Sequence, residues 1–276
     1  MAATLELRVL QALSKALQSD QLVLPTLPEV ALKAREAAQD PNATAVRLAK
    51  VVGNDAAMSA RLIKVANSPL LRASRQIEDL TGAITRIGIT FASNLITGFA
   101  MQQMYQATSD IVDKKMREVW TISSSIGGIA HVICRQYTKL RPDQATLAGI
   151  IHQIGALPVL TFAEEFPDLL SDEETLDRII EQMHPQIGEA ILQAWDFPTE
   201  LIPVPGNYLN LQRKGDKADY TDIITVASMY LNSGKDNAMG SADWENVAAV
   251  KRLGIKDKSE LDALADNMKA AAAALA

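Results

Sequence analysis

The sequence predicts an all-α fold, and three observations lead to that prediction. Only 5% of the residues are aromatic, and residues that favour helices (Ala, Leu, Met, Gln and Lys) are abundant. Apolar residues recur at helical spacing, as Met58, Leu62 and Ala66 do. We find no alternating strand of useful length and no internal repeat. We therefore expect about a dozen helices.

Boundary signals place the first helices. Pro28 suits the first position of a helix that Pro41 ends, and Asn42 or Thr44 caps a short helix that Gly53 closes. These signals predict two consecutive short helices near the N-terminus.

Capping and terminating residues also predict the next three helices. Asp55 is expected to cap a helix that ends at Asn67-Ser68-Pro69. Thr81 is expected to begin a helix that Gly88 closes, and Thr90 to cap the one after it.

The second half begins with a long helix, predicted from about Asp110 to Tyr137. Gly127-Gly128 lies inside it, which favours a close approach of another helix. Asp143 is expected to open the following helix, and Ser171 with Glu174 to form a capping box.

His184-Pro185 is expected to interrupt one helix and to start another that runs to Trp195. Residues 203–217 contain too many proline and glycine residues for a regular pattern. Helices should resume near Tyr220, Asp243 and Ser259, and the final alanine-rich segment is expected to fray.

Composition excludes several classes of protein. A chain of 276 residues with 48% hydrophobic residues and a net charge of −6 is not a mostly disordered protein. The single cysteine, Cys134, cannot form an internal disulfide. No apolar run approaches the roughly 18–20 residues that cross a bilayer, and the N-terminus does not resemble a secretory signal. We therefore expect a cytoplasmic protein without a membrane segment.

The charge is unevenly divided between the two halves. Residues 1–109 carry 11 basic and 8 acidic side chains, a net charge of +3, whereas residues 110–276 carry 16 and 25, a net charge of −9. Such a split is typical of two parts with different partners. The positive charge is far below that of a nucleic-acid-binding domain, and the isoelectric point of about 5.2 also argues against nucleic acid as a partner.

Common catalytic motifs are missing, but two histidine segments are distinctive. The sequence has no phosphate-binding loop, no nucleophile elbow and no cysteine pair for zinc. Residues 149–155 (GIIHQIG) resemble the central motif of the HD superfamily, whose usual form contains a His-Asp pair. Residues 184–198 (HPQIGEAILQAWDFP) and 24–30 (LPTLPEV) resemble later and opening segments of its HDOD branch. From the order and spacing of these segments, the region from about residue 20 to about residue 235 is identified as an HDOD domain.

The resemblance implies a helical bundle related to the HD fold, with an extra N-terminal helical part. We expect that part in residues 1–109 and the HD-like core, with C-terminal helices, in residues 110–276. The two together would form one continuous HDOD unit.

The resemblance also implies where metal ligands would lie in active HD phosphohydrolases. His152 is retained, but its partner is Gln153, and Ile122-Ser123 stands at the first histidine position. Residues 206–208 (GNY) replace a His-His pair, and Ser228 stands at the last aspartate position. A neutral amide cannot replace the charge of a carboxylate toward a hard cation. We therefore expect no catalytic residues, no metal site and no cofactor.

Each remaining polar feature has a structural and a functional interpretation. His152 is expected to be buried and bonded to a backbone carbonyl, and His184 to cap or pack at a helix junction. Asn67 is expected to end its helix, or to anchor it to a neighbouring loop. Arg61 and Arg72 belong to a basic face that is either solvated or a docking surface for an acidic protein or a nucleotide phosphate. The candidate contacts to a ligand or partner are His152, Gln153, His184, Asn67, Arg61 and Arg72.

Two functions from different classes follow. The first is a non-catalytic bacterial signalling module that binds a protein partner, with a nucleotide in the remnant HD cavity as a candidate ligand. The alternative is a divergent metal-dependent phosphohydrolase acting on nucleotides or cyclic dinucleotides. The alternative needs other ligands, for which Asp143, Glu189 and Asp222 are the candidates.

Overall fold

A computed structural model describes residues 2–19, 21–71, 75–107 and 109–276. These residues form sixteen α-helices, two short 3-10 turns and no strand, which confirms the all-α prediction. The helices are α1 (Ala2–Gln18), α2 (Glu29–Gln39), α3 (Ala45–Val52), α4 (Ala56–Ala66), α5 (Leu80–Ile87), α6 (Ile89–Gln102), α7 (Asp110–Tyr137), α8 (Pro142–Ile151), α9 (Ala156–Ala163), α10 (Pro167–Leu170), α11 (Glu173–Ala194), α12 (Val204–Asn207), α13 (Tyr220–Asn232), α14 (Ala248–Leu253), α15 (Lys258–Asp262) and α16 (Ala265–Leu275).

Several predicted caps are confirmed by their hydrogen bonds. The Thr44 hydroxyl accepts from the Arg47 N–H at the start of α3, and the Asp55 carboxylate accepts from the Met58 N–H at the start of α4. The bounds of α7 coincide with the predicted ones. Pro28 lies at the N-cap of α2 rather than at its first helical position.

Other helix starts were predicted wrongly, by one or two residues. Asp79 rather than Thr81 caps α5, and α8 begins at Pro142 rather than Asp143. Asp172 rather than Ser171 caps α11, accepting from the Thr175 N–H. Aspartate is a strong N-cap and proline is a favoured first helical residue. At each of these helix starts, such a residue therefore takes the place of the one predicted nearby.

Helix α6 follows α5 directly at Gly88, and Thr90 does not cap it. Gly88 has φ = 89°, a conformation that L side chains rarely adopt, and it turns the chain so that α6 begins at Ile89.

The prediction that His184-Pro185 divides two helices is wrong, because α11 is continuous through Pro185. Proline removes one N–H donor and crowds the carbonyl four residues earlier, which destabilises a helix interior. Buried apolar side chains on both sides of it, such as Ile180 and Ile187, hold the helix against the core. Tertiary packing therefore outweighs the local cost, and His184 lies within a helix rather than at a junction.

Two apolar clusters form the core of the described residues. The larger includes residues of α7, α8, α9, α11 and α13, and the smaller is built mainly on α2 to α6. The clusters do not divide the chain at one residue, because Met101 of α6 and Tyr105 belong to the larger cluster although they precede residue 109. Val9 and Leu13 of α1 belong to the larger cluster, whereas Ala271 and Leu275 of α16 belong to the smaller one.

Helix α16 packs tightly against α7 instead of fraying. A Cβ atom added to Gly128 would lie only 2.4 Å from the Ala272 nitrogen, so the two backbones meet at this glycine. Leu275 is fully buried. The close approach predicted from Gly127-Gly128 is thus confirmed. Helix α16 approaches Gly128, and α8 approaches Gly127, whose Cα atom would lie 2.4 Å from a Cβ atom added to Gly149.

The segment predicted to be irregular contains the short helix α12 and is tied to α13 by ion pairs. Asp222 is buried and accepts hydrogen bonds from Arg213 and Arg252 at 2.6–2.7 Å. Burial alone would raise the pKa of the Asp222 carboxyl, but these guanidinium groups lower it below its ordinary value.

One described segment, Pro142–Ala163, has the length and mean hydropathy (1.5) of a membrane span. It comprises α8, α9 and the turn between them, and 83% of its most apolar window is buried inside the fold. The segment therefore serves as core packing in this structure.

Candidate functional site

His152 lies directly after α8, at the position of the HD-like motif. It is buried, and its Nδ1 atom lies 2.6 Å from the Gly149 carbonyl oxygen. Because the carbonyl can only accept, we assign the proton to Nδ1, which leaves Nε2 as an acceptor. The predicted bond between a buried histidine and a backbone carbonyl is confirmed.

His184 comes from the middle of α11 and lies beside the turn that follows His152. A Cβ atom at Gly155 would lie 2.1 Å from the His184 carbonyl oxygen and 2.5 Å from the Gly188 nitrogen. Only a glycine at position 155 allows this contact between two backbones. The glycines of the two motifs therefore bring His152 and His184 to one place.

Tyr208 contacts both histidines. Its ring meets the His152 ring edge-on with centroids 4.8 Å apart, and its hydroxyl lies 3.2 Å from His184 Nε2. Gln153 Nε2 donates to the same hydroxyl at 3.4 Å, so the hydroxyl proton is available to His184 Nε2. The Thr225 hydroxyl, donating to the Tyr208 carbonyl at 2.8 Å, holds this segment on α13.

Burial keeps this cluster uncharged at neutral pH. It lowers the pKa of His152 to about 4, and burial together with the neighbouring His152 lowers the pKa of His184 to about 3. Burial also raises the pKa of the Tyr208 phenol well above its ordinary value. The cluster is therefore a neutral hydrogen-bonding network.

Several polar atoms in and around this network have no partner among the described residues. They are Gln153 Oε1, His184 Nδ1, Ser123 Oγ and Ser228 Oγ. Gln153, Ser123 and Ser228 stand at or beside positions where the HD resemblance places metal ligands. These buried groups therefore have unused hydrogen-bonding capacity.

These residues border a cleft of about 310 Å³, here called the remnant cleft and defined by His152, Gln153, His184, Tyr208 and Ser228. Three exposed carboxylates also line it, those of Glu118, Asp177 and Glu181. Lys115 is the one cation among the lining residues, and Asp177 already accepts its hydrogen bonds at 2.8 and 3.0 Å. The mouth of the cleft is therefore acidic.

Comparison with known proteins shows the family. The HDOD domain model matches residues 24–205. The chain belongs to the HDOD family. The matched residues lie inside the extent of about 20–235 expected from the motifs, and they include the two segments that supply His152 and His184.

Solved structures and a curated relative agree with this HDOD assignment. A protein of Shewanella amazonensis SB2B, provisionally named a metal-dependent phosphohydrolase, is 34% identical with a TM-score of 0.86, covering 98% of this chain and 99% of that one. A Marinobacter aquaeolei VT8 protein, provisionally named a signal transduction protein, shares the fold at 22% identity and a TM-score of 0.64, covering 98% of this chain and 65% of that one. An uncharacterized protein of Treponema pallidum (strain Nichols) is 24% identical over 222 residues, 74% of this chain. The chain spans only 41% of the length of that relative.

The residues of the remnant cleft do not fit the metal ions that HD phosphohydrolases use. The bond from His152 Nδ1 to a carbonyl is one that metal-ligating histidines also make, but Tyr208 lies against both imidazoles. The other residues that define the cleft, Gln153, Tyr208 and Ser228, supply a neutral amide, a neutral phenol and a hydroxyl, which are poor ligands for hard divalent cations. The three carboxylates lie at its exposed mouth. Within the described part of the chain, no three His, Cys, Asp or Glu side chains are grouped so that they could hold a metal ion.

The carboxylates considered as substitute ligands do not line the remnant cleft. Asp143 pairs with Arg141 at 2.6 Å, and Asp222 is held between two arginines. Glu189 lies near Gly206. The structure therefore does not bring these three side chains to His152.

The other candidate contacts lie elsewhere. Asn67 forms two hydrogen bonds with the main chain of Ile77, donating at 2.7 Å and accepting at 2.9 Å, so it anchors the end of α4 to the following loop. Arg61 is half-buried and lines a different cavity, described below. Arg72 lies outside the described residues.

Sequence reasoning missed the role of Tyr208, although it had aligned residues 206–208 with a lost histidine pair. An aromatic residue in place of a metal ligand was the available signal. The contact with both imidazoles depends on how α11, α12 and α13 pack together, which local sequence does not show.

Proposed function

We propose that this HDOD chain is a non-catalytic regulatory module of bacterial signal transduction, acting in the cytoplasm by binding a protein partner. The observation that supports this proposal is the neutral network of His152, Gln153, His184 and Tyr208 at the HD position. In metal-dependent phosphohydrolases, the ions activate water and neutralise the charge of the phosphate. A cluster of uncharged groups performs neither task.

The charge around the remnant cleft supports the same conclusion. A phosphate ester approaching His152 would meet Glu118, Asp177 and Glu181, and the one nearby cation, Lys115, already pairs with Asp177. Like charges around a cleft lower the local concentration of an anionic substrate. A nucleotide in this cleft, the ligand first expected there, is therefore disfavoured.

The protein partner is expected to be acidic where it meets the N-terminal part. Residues 1–109 carry a net charge of +3, and Lys50 and Lys64 are exposed there. Binding of such a partner should weaken as salt concentration rises, because exposed ion pairs are screened. Co-purification from the native cell at low and high salt, with mass spectrometry, identifies the partner and tests this expectation.

A second candidate function is a divergent phosphohydrolase, which is favoured by the name of the 34% identical Shewanella protein. Activity assays on the purified full chain separate the two functions. Nucleotides and cyclic dinucleotides are offered with Mg²⁺, Mn²⁺ or Zn²⁺, to the wild type and to His152→Ala. His131→Ala serves as the matched control, because His131 is also buried but lies outside the remnant cleft.

We expect no metal-dependent turnover by the wild type and less than one metal ion per chain. Metal-dependent hydrolysis that His152→Ala abolishes and His131→Ala retains would overturn the non-catalytic proposal.

A further inference from the structure

A second cavity lies on the opposite face of α7 from the remnant cleft. It has a volume of about 340 Å³ and is lined by residues of α4, α6 and α7 and by the segment after α6. An α-helix has 3.6 residues per turn, so residues one turn apart share a face. Arg117 and Trp120 of α7 face this cavity, whereas Val119, Ile122 and Ile126 face the remnant cleft. We call it the Arg61 cavity, defined by Arg61, Gln103, Tyr105, Gln106, Arg117 and Trp120.

The Arg61 guanidinium is held in a fixed plane. It stacks over the Phe99 ring at 3.7 Å from the centroid and lies 5.9 Å from that of Trp120. It donates to the Gln102 side-chain oxygen and, at 3.0 Å, to the Leu275 carbonyl oxygen. A guanidinium has five N–H donors, so these bonds orient the group and leave other donors for a ligand.

The charge of the Arg61 cavity is opposite to that of the remnant cleft. Arg61 and Arg117 supply two cations, and the one carboxylate among the lining residues is that of Asp55, which caps α4. Arg117 is exposed, and its one ion pair among the described residues is with Asp113, one turn away on the same helix. A planar guanidinium is well suited to phosphate oxygens, and a second one at the mouth attracts the same anion.

Polar groups beside these cations suit a ligand that also has a hydrogen-bonding ring. The Tyr105 hydroxyl is buried and has no partner among the described residues. Gln103 and Gln106 present exposed amides at the rim, and amides can donate to and accept from the edge of a base. The volume falls at the lower end of the range for small-molecule sites, about 300–1,000 Å³.

We propose that the Arg61 cavity binds a nucleoside monophosphate, with its phosphate at Arg61 and Arg117 and its base at the glutamine rim. This goes beyond the function proposed above, because it concerns a different site and requires no chemistry at His152. It also assigns the anionic ligand to the basic side of α7 rather than to the acidic remnant cleft.

Calorimetric titration of the full chain with adenosine 5′-monophosphate, adenosine and inorganic phosphate tests the proposal. Arg117→Gln is the main variant, since this exposed side chain makes one surface ion pair and its loss should not unfold the protein. Gln103→Glu adds a negative charge at the exposed rim. Arg47→Gln is the matched control, because Arg47 is also exposed and also pairs with an aspartate, and neither residue of that pair lines the cavity.

We expect one monophosphate per chain, with adenosine binding at least about tenfold more weakly. Arg117→Gln and Gln103→Glu should each weaken monophosphate binding by about tenfold, whereas Arg47→Gln and the remnant-cleft variant Ser228→Ala should not change it. The absence of monophosphate binding to the wild type, binding unaffected by both cavity variants, or loss of binding in Ser228→Ala would each overturn the proposal. Phosphate hydrolysis is measured separately, so failure of this proposal is distinguishable from failure of the non-catalytic one.

Discussion

Helix α7 separates two cavities of similar volume and opposite character. The remnant cleft is lined inside by neutral groups centred on Tyr208 and at its mouth by three carboxylates. The Arg61 cavity is lined by two arginines and by aromatic rings. The difference separates the position where the HD resemblance places metal ligands from the position that we propose for an anion.

The two cavities each contain a buried tyrosine hydroxyl, and these two hydroxyls differ in how they are satisfied. In the remnant cleft, the Tyr208 hydroxyl has two partners, and in the Arg61 cavity the Tyr105 hydroxyl has none among the described residues. A hydroxyl that is fully used stabilises the folded chain, whereas an unused one stabilises only a complex that supplies a partner.

Of the single substitutions, Gly155→Ala should lower stability the most, because it disrupts the backbone contact that brings the two histidines of the remnant cleft together. The added Cβ would meet backbone atoms of α11 at 2.1 and 2.5 Å, which no side-chain rotation relieves. We expect the free energy of unfolding to fall by at least about 3 kcal/mol, measured by urea denaturation.

Gly215→Ala is the control for that experiment. Its added Cβ would meet only the Arg252 side chain, at ordinary contact distances of 3.7–3.9 Å. A similar loss of stability in both variants would show that the backbone contact at Gly155 is not the cause.

Acidification should destabilise the fold through the remnant cleft rather than through the Arg61 cavity. Unfolding returns His152 and His184 from pKa values of about 4 and 3 to about 6.5, so the unfolded chain takes up protons first. These two histidines therefore do not lower the free energy of unfolding above about pH 6.5, and that free energy falls as the pH decreases below this value. We expect a loss of about 2 kcal/mol per histidine by pH 5, measured from urea midpoints.

The double variant His152→Gln/His184→Gln should have a flatter stability profile between pH 7 and 5. Carboxylates contribute little in this window because their ordinary pKa values lie near 4. His131, whose pKa burial also lowers to about 4, remains in the variant and accounts for a residual slope. An unchanged slope would assign the proton uptake to groups outside the remnant cleft.

A pair of tyrosine substitutions should have the smallest effect and compares the two cavities directly. Tyr208→Phe removes the hydroxyl that forms hydrogen bonds with Gln153 and His184, and we expect the free energy of unfolding to fall by about 1–2 kcal/mol. Tyr105→Phe removes a hydroxyl without a described partner and should leave stability unchanged or slightly increased. Equal losses in thermal or urea unfolding would remove the distinction between the satisfied Tyr208 hydroxyl and the unsatisfied Tyr105 hydroxyl.

Much of the local structure could be predicted from sequence. The caps at Thr44 and Asp55, the bounds of α7 and the carbonyl bond of His152 depend on residues at most three apart or on one apolar pattern. The HDOD family likewise followed from the order of short motifs. Misplaced starts, such as Thr81 for Asp79, arose because two good capping residues lay close together.

What the sequence by itself determined is therefore the helical class and the family, together with the neutral residues Gln153 and Ser228 where the HD resemblance places carboxylates. Only the tertiary structure decided that α11 continues through Pro185, that Tyr208 contacts both histidines, and that α16 packs on Gly128. It also decided that Arg61 meets Trp120 across a cavity. The physical reason is range: caps and periodicity act within a few residues, whereas these contacts join segments far apart in the chain, whose energies depend on how whole helices pack.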